Sequence, residues 1–352
     1  MHRCGALGCG FSCRRRSWGG CSLPLVVAEG LRCVSCVGWG VYRRGFVGCA
    51  RVGCAGFSGS EAGKIVPSGV VDRDAGGAYT TVMPRIDVNA DLGEGYPTDS
   101  DILPWISSAN IAAGGHAGGG DTLLHTVELA AARSIAVGAH ISYPDRDNFG
   151  RTSQPDIDAG VLVSALSRQL EDVLAAADIH GVPVTHVKPH GALYNDAARD
   201  QRLADLLCQV LHDHAPAGVL LYGLAGSLLQ STAADAGVVF VAEGFADRTY
   251  QPDGHLRSRL LPGAVHEEEG VITRQAHALA TGEPFPVFGG VRLTIPVDSI
   301  CVHGDTPEAV RNARRIHETL TSAGVHITPP TPATENNTKE RDSDGSAQRE
   351  NP

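Results

Sequence analysis

The stretch His186-Val187-Lys188-Pro189-His190-Gly191 carries a proton-bearing side chain at every second position. In extended chain that spacing sends His186, Lys188 and His190 to one face. A buried ammonium is costly without a counter-charge, so Lys188 implies a carboxylate or an anionic substrate beside it. Other clusters have similar chemistry. Asp87, Asn89 and Asp91 alternate, and three oxygen-bearing groups on one strand face could coordinate a hard cation or hold a substrate amine. Asn110 leads into Gly114-Gly115-His116-Ala117-Gly118-Gly119-Gly120, a glycine-rich turn whose backbone N–H groups could cradle an anion. His140 is followed by Tyr143 and Asp145. Glu243 and Asp247 offer a general acid or base, and Arg248 a bidentate fork for a carboxylate. His303 and Asp305 close the set, beside Cys301, which reads as a packed core thiol.

Each cluster has a plainer reading: a solvated strand edge, a flexible loop, or an Asp–Arg surface pair. Position argues against these. The clusters end the short apolar runs Ile86–Val88, Ala109–Ala113, Ile135–Ala139, Val184–Val187, Val238–Ala242 and Ser299–Val302. Parallel α/β barrels build their sites from residues at such strand ends. Between the runs lie helical patterns. Thr98–Trp105 is short. Asp121 is expected to cap a helix reaching Arg133. Asp158–His180 repeats Leu162, Leu166, Leu170 and Leu174 and stops at Gly181 and Pro183. Arg202–His214, Leu224–Ala236, Glu267–Thr281 and Thr306–Ala323 follow, the last opened by Thr306 and Pro307. Val219–Tyr222, Val291–Ile295 and Val325–Ile327 add strands. The alternation predicts a mostly parallel sheet, and about seven βα units in roughly 250 residues predict a single TIM-like (β/α) barrel.

The 352 residues carry a formal net charge of −10, which argues against nucleic acid as a partner. No apolar run approaches the roughly 20 residues of a membrane span. Eight of the ten cysteines lie at or before Cys54, leaving Cys208 and Cys301 in the organised region. Cys33-Val34-Ser35-Cys36 has no second close pair and no His between residues 3 and 115, so it makes a weak zinc site. Residues 1–82 are therefore expected to lie outside the functional protein, with translation starting at Met83. Residues 83–328 form the barrel domain, and 329–352, poor in apolar side chains, a disordered tail. An acidic, cysteine-poor domain without an export signal is expected in the cytoplasm. There is no G-x-x-x-x-G-K-[ST] loop, G-x-S-x-G elbow or H-E-x-x-H helix. Acid–base or metal-assisted chemistry on a small polar molecule is what remains.

In their order, Asp87–Gly95, Asn110–Gly118, Gly138–Asp145, His186–Asn195, Phe245–Tyr250 and Ile300–Pro307 resemble the 5-oxoprolinase A-subunit family, also called LamB/YcsF. The resemblance spans about residues 84–328. It implies a barrel of the glycoside hydrolase/deacetylase type. It also implies ATP-dependent opening of 5-oxo-L-proline to L-glutamate, carried out with partner subunits B and C that handle ATP. On that implication Asp91 or Glu243 is the base, His116, His140 and His190 steer protons, and Lys188 stabilises negative charge. Asn89, Asn110, Tyr194, Asp247, Arg248, His303 and Asp305 contact substrate. The chain departs from the family's Cys-Gly-Phe-His-Ala-Gly-Asp-Pro motif at Ala113, Gly115 and Gly119-Gly120, and has Ile141 where Pro is usual. Two other readings stand beside this one. One is a divalent-metal deacetylase of an acetylated sugar, with Asp91, His116 and His140 as ligands. The other is a non-catalytic scaffold for subunits B and C.

Overall fold

The computed structural model describes residues 70–73, 79–304 and 308–331. Seven strands close a parallel barrel: β1 (Arg85–Leu92), β2 (Ser108–Ala112), β3 (Ala136–Ile141), β4 (Val184–Pro189), β5 (Leu220–Leu224), β6 (Phe240–Phe245) and β7 (Ser299–Val302). Neighbours in sequence are neighbours in the sheet. β7 pairs back onto β1, with Ser299 opposite Asp87 and Cys301 opposite Asn89. Val325–Ile327, read as a last strand, contributes only His326–Ile327, laid parallel along the start of β1.

A one-turn helix, Asp99–Ile102, and a 3-10 turn, Leu103–Trp105, follow β1. The other crossovers use α1 (Gly120–Ala131), α2 (Ala159–Ile179), α3 (Gly191–Ala197), α4 (Gln201–His214), α5 (Leu228–Asp235), α6 (Glu269–Thr281) and α7 (Ala309–Ser322). In α2 the four-residue leucine repeat becomes a core stripe. Leu162, Leu166 and Leu170 are fully buried, worth about 1.5–3 kcal/mol each. Asp158 caps it, accepting from the Val161 N–H at 3.0 Å.

Several boundaries differ from expectation. Gly119, not Asp121, caps α1. Gly118, Gly119 and Gly120 all take positive φ, which suits glycine, and Asp121 falls in the first turn beside the positive end of the helix dipole. Leu224 ends β5 rather than starting a helix. Val291–Ile295 contracts to Arg292–Leu293, paired antiparallel with Phe285–Pro286 away from the barrel. α3 was not anticipated. Asp305, Thr306 and Pro307 lie outside the described residues, as do most of the expected extension and tail. Within that extension Val70–Arg73 and Tyr79–Val82 pair as an antiparallel hairpin. Among the described residues no helix is long and apolar enough to cross a membrane.

The period-two alternation of β1 sorts its side chains. Ile86, Val88, Ala90 and Leu92 join the buried apolar shell, while Asp87, Asn89 and Asp91 alternate with them. Those three bond to polar groups from β2, β4, β6 and β7, so the lumen is filled by polar side chains, where barrels of this class usually hold branched apolar ones.

Candidate active site

The polar lumen is layered. At the floor, Asp87 accepts from four hydroxyls: Ser107 at 2.6 Å, Ser108 at 2.7 Å, Tyr222 at 3.0 Å, and Ser299. Burial raises its pKa, and those hydroxyls offset the rise only in part. The sequence reading in which Asp87, Asn89 and Asp91 share one hard metal is therefore corrected. Strand rise separates Asp87 from Asp91 by about 13 Å, and the oxygens of Asp87 are already engaged.

The middle layer is Asn89, Asn110, His186 and Glu243. Asn89 Nδ2 donates to Glu243 Oε1 and Ser299 Oγ, both at 2.8 Å. Asn110 Nδ2 donates to Asn89 Oδ1 at 2.7 Å and to Asp91 Oδ1 at 2.8 Å. A carboxylate only accepts, so the Asn110 amide has one orientation, and its Oδ1 must receive the His186 Nε2 proton at 2.8 Å. Burial, then the charges of Lys188 and His140, pull the His186 pKa down to about 3, so the ring is neutral. Gly138 makes room for it: a Cβ there would lie 2.1 Å from His186 Nε2.

Above sits Lys188, whose Nζ reaches Glu243 Oε1 at 2.8 Å, Asp91 Oδ1 at 3.0 Å, Asn89 Oδ1 at 3.1 Å and Cys301 Sγ at 3.2 Å. Burial opposes its charge, but Asp91, Cys301 and Glu243 raise its pKa well above the usual lysine value. Burial likewise opposes the Asp91 charge, and His140 with Lys188 outweigh it, holding the carboxyl well below the usual range.

At the mouth, His116, His140 and His190 gather around Glu94. His116 stacks face to face on His190, with centroids 3.6 Å apart. Burial lowers the pKa of His116 and, more strongly, of His190. Across the mouth His303 Nδ1 meets Asp247 Oδ2 at 2.7 Å. Burial opposes the Asp247 charge, but His303 and the nearby arginines lower its pKa. A cavity of about 780 Å³ opens here. Asp91, Glu94, His140, Lys188, His190 and His303 line its inner part, and Arg151, Arg199, Arg257 and Arg259 its rim.

The structure thus brings Asp91, His140, Lys188, His190, Tyr194, Arg248 and His303 to one cavity. Asn89, Asn110 and Glu243, fully buried, lie behind it and hold Asp91 and Lys188 rather than line it. Arg248, read as a substrate clamp, spends Nη2 on the Arg257 carbonyl and Nε on the Ala264 carbonyl. Burial and Arg259 pull its pKa down to about 10. The buried Tyr194 hydroxyl lies beside Glu243, and burial with the Glu243 charge pushes the phenol up. The glycine turn is not an open anion cradle. Arg146 Nη1 binds its Gly114 and Gly118 carbonyls at 3.2 and 3.1 Å, and its Gly114 N–H pairs with the Ala117 carbonyl. Asp91, expected with His116 and His140, keeps its Oδ2 3.4 Å from His140 Nε2 but groups with Cys301 and His303. Glu94 takes its place among the histidines. Only its position three residues beyond Asp91, at a polar strand end, signalled it in the sequence.

Three comparisons with known proteins agree. The LamB/YcsF family model matches residues 86–335. Two proteins named as the A subunit of 5-oxoprolinase, from Haemophilus influenzae strains PittEE and 86-028NP, are each 39% identical over 246 residues, covering 70% of this chain and 100% of theirs. The crystal structure of a lactam utilization protein from Thermus thermophilus superposes with a TM-score of 0.65 at 33% identity, covering 69% of this chain and 99% of that one.

Proposed function

The chain belongs to the LamB/YcsF family, and from that premise we propose that it is the A subunit of an ATP-dependent 5-oxoprolinase, opening the lactam of 5-oxo-L-proline to L-glutamate. Partner subunits B and C spend ATP to phosphorylate the lactam carbonyl oxygen, which makes the ring carbon electrophilic. Water adds there, and the ring C–N bond breaks as the nitrogen takes a proton. A second water then releases phosphate from the acyl group. The acidic organised region, with only Cys208 and Cys301, suits a reducing cytoplasm.

The observation that carries the reading is Lys188, a buried ammonium wedged between Asp91 and Glu243 where the cavity meets the lumen. A barrel needs no such group for stability, because its desolvation is offset only by those partners. Facing developing negative charge in a site shielded from water, it stabilises the tetrahedral oxyanion. Asp91, held well below the usual carboxylate range by His140 and Lys188, makes a poor base. His303 suits the role better. Its Nδ1–H is oriented by ionised Asp247, leaving Nε2 to accept a proton from water, the arrangement in which a carboxylate sets a histidine's tautomer.

The test is glutamate release from 5-oxo-L-proline and ATP, using the full chain with and without subunits B and C. Release is expected only with all three. No release from a folded, assembled complex would refute the assignment.

A further inference from the structure

With neutral rings, the histidine cluster at the mouth sets two lone pairs against each other. His140 Nδ1 lies 3.0 Å from the Lys188 carbonyl, which can only accept, so a neutral His140 carries its proton there. His190 Nε2 lies 3.0 Å from the Phe149 carbonyl and carries its proton for the same reason. The remaining nitrogens, His140 Nε2 and His190 Nδ1, both present lone pairs, and they face each other at 2.9 Å. Glu94 Oε1, a third acceptor, lies 3.4 Å from His190 Nδ1 and 3.7 Å from His140 Nε2. His116 Nε2 stands 3.0 Å from Glu94 Oε1, while its Nδ1 is buried with no partner. All four atoms lie within 4.8 Å of one another.

We propose that Glu94 Oε1, His116 Nε2, His140 Nε2 and His190 Nδ1 bind one first-row divalent cation of the Zn²⁺ class. Imidazole with a carboxylate is a donor set such ions favour. Bonds of about 2.1 Å place neighbouring ligands about 3.0–3.4 Å apart, which the His140–His190, Glu94–His116 and Glu94–His190 spacings of 2.9, 3.0 and 3.4 Å approach, while the stacked His116 and His190 rings must turn from their 3° alignment to aim both lone pairs at one ion. His140 and His190 each hand the far ring N–H to a backbone carbonyl, which is how metal-binding histidines are held and their tautomer set. The site is also closely packed. A Cβ at Gly150 would come 2.9 Å from His116 Cβ and 3.0 Å from His190 Cδ2, and one at Gly191 would come 2.6 Å from the Gly150 carbonyl oxygen. A single proton shared by His140 and His190 would relieve one contact only, leaving Glu94 against the His190 lone pair. Asp91 keeps its Oδ1 on Lys188 and Asn110, and its Oδ2, 3.4 Å from His140 Nε2, lies beside that ligand without joining the group of four.

The experiment strips the full chain with chelator, then titrates Zn²⁺ by calorimetry with thermal melting alongside. It needs no lactam turnover, so its outcome is independent of the proposed activity. The cysteines at or before Cys54 can take Zn²⁺ themselves, so the reading rests on the equivalent that variants lose. Glu94→Gln and His190→Asn should each weaken one equivalent by at least about 100-fold and lose its melting shift. Asp91→Asn should keep it. Anomalous scattering at the zinc edge from wild-type crystals gives a reading without any variant. A peak among the four atoms supports the site. Its absence from Zn²⁺-soaked crystals, or an equivalent indifferent to both variants, overturns it and leaves a shared proton.

Discussion

Lowering the pH from 7 to 5 should cost this barrel about 2 kcal/mol through His186 alone. The ring is fully buried, donates Nε2–H to Asn110, and keeps a pKa of about 3 against 6.5 in the unfolded chain. The native histidine pKa is depressed, so the unfolded chain takes up the proton first as pH falls. The contribution is fully present above about pH 6.5 and is lost progressively down to about pH 3. The unfolded state gains about 0.2 kcal/mol from protonation at pH 7 and about 2.1 kcal/mol at pH 5, and the native state almost nothing at either. Urea unfolding of wild type and His186→Gln at both pH values measures this, because the other titrating groups cancel in the comparison. Wild type should lose about 2 kcal/mol more than the variant between pH 7 and pH 5. Equal losses at unchanged m-values would show that His186 titrates alike in both states, and the tautomer chain through Asn110 would fall with that result.

Gly138→Ala should cost about 2–4 kcal/mol, combining overpacking against the His186 ring with loss of its bond to Asn110. A melting temperature lowered by less than about 4 °C would contradict the close approach. Lys188→Met leaves Asp91 and Glu243 facing each other unpaired. Denaturant titration should find a loss of about 3–5 kcal/mol, and turnover should vanish; near-normal turnover would remove Lys188 from the mechanism. Asp247→Asn should keep the fold but lower kcat about 10²–10⁴-fold by freeing the His303 tautomer; an unchanged kcat and pH profile would return the role of base to a carboxylate.

Much of the site could be read before the fold was known, because strands repeat every two residues. His186, Lys188 and Asp91 follow that rhythm and all enter the lumen. What could not be read arises from pairing between distant strands. The Asp87 cage draws hydroxyls from Ser107, Ser108, Tyr222 and Ser299, up to 212 positions away. No local pattern announces such partners. Asn89 and Asn110 point the expected way, but depth along the strand decides whether a side chain meets substrate or supports a neighbour. Glu94 follows Gly93, whose positive φ breaks the alternation, so its direction had no periodic signal. α3 was hidden because it starts at Gly191, one residue after β4, where proline and glycine give no helix signal.

The polar lumen also bears on how this protein can change. From His186 through Asn110, Asn89 and Ser299 to Asp87, each member donates to the next in a single direction. Replacing one link strands its neighbours with two donors or two acceptors opposed. Viable substitutions should therefore arrive as matched sets drawn from several strands, and relatives should differ inside the barrel by blocks. An engineer seeking a sturdier version has little to gain from inserting apolar residues there singly, and should start with the helices outside.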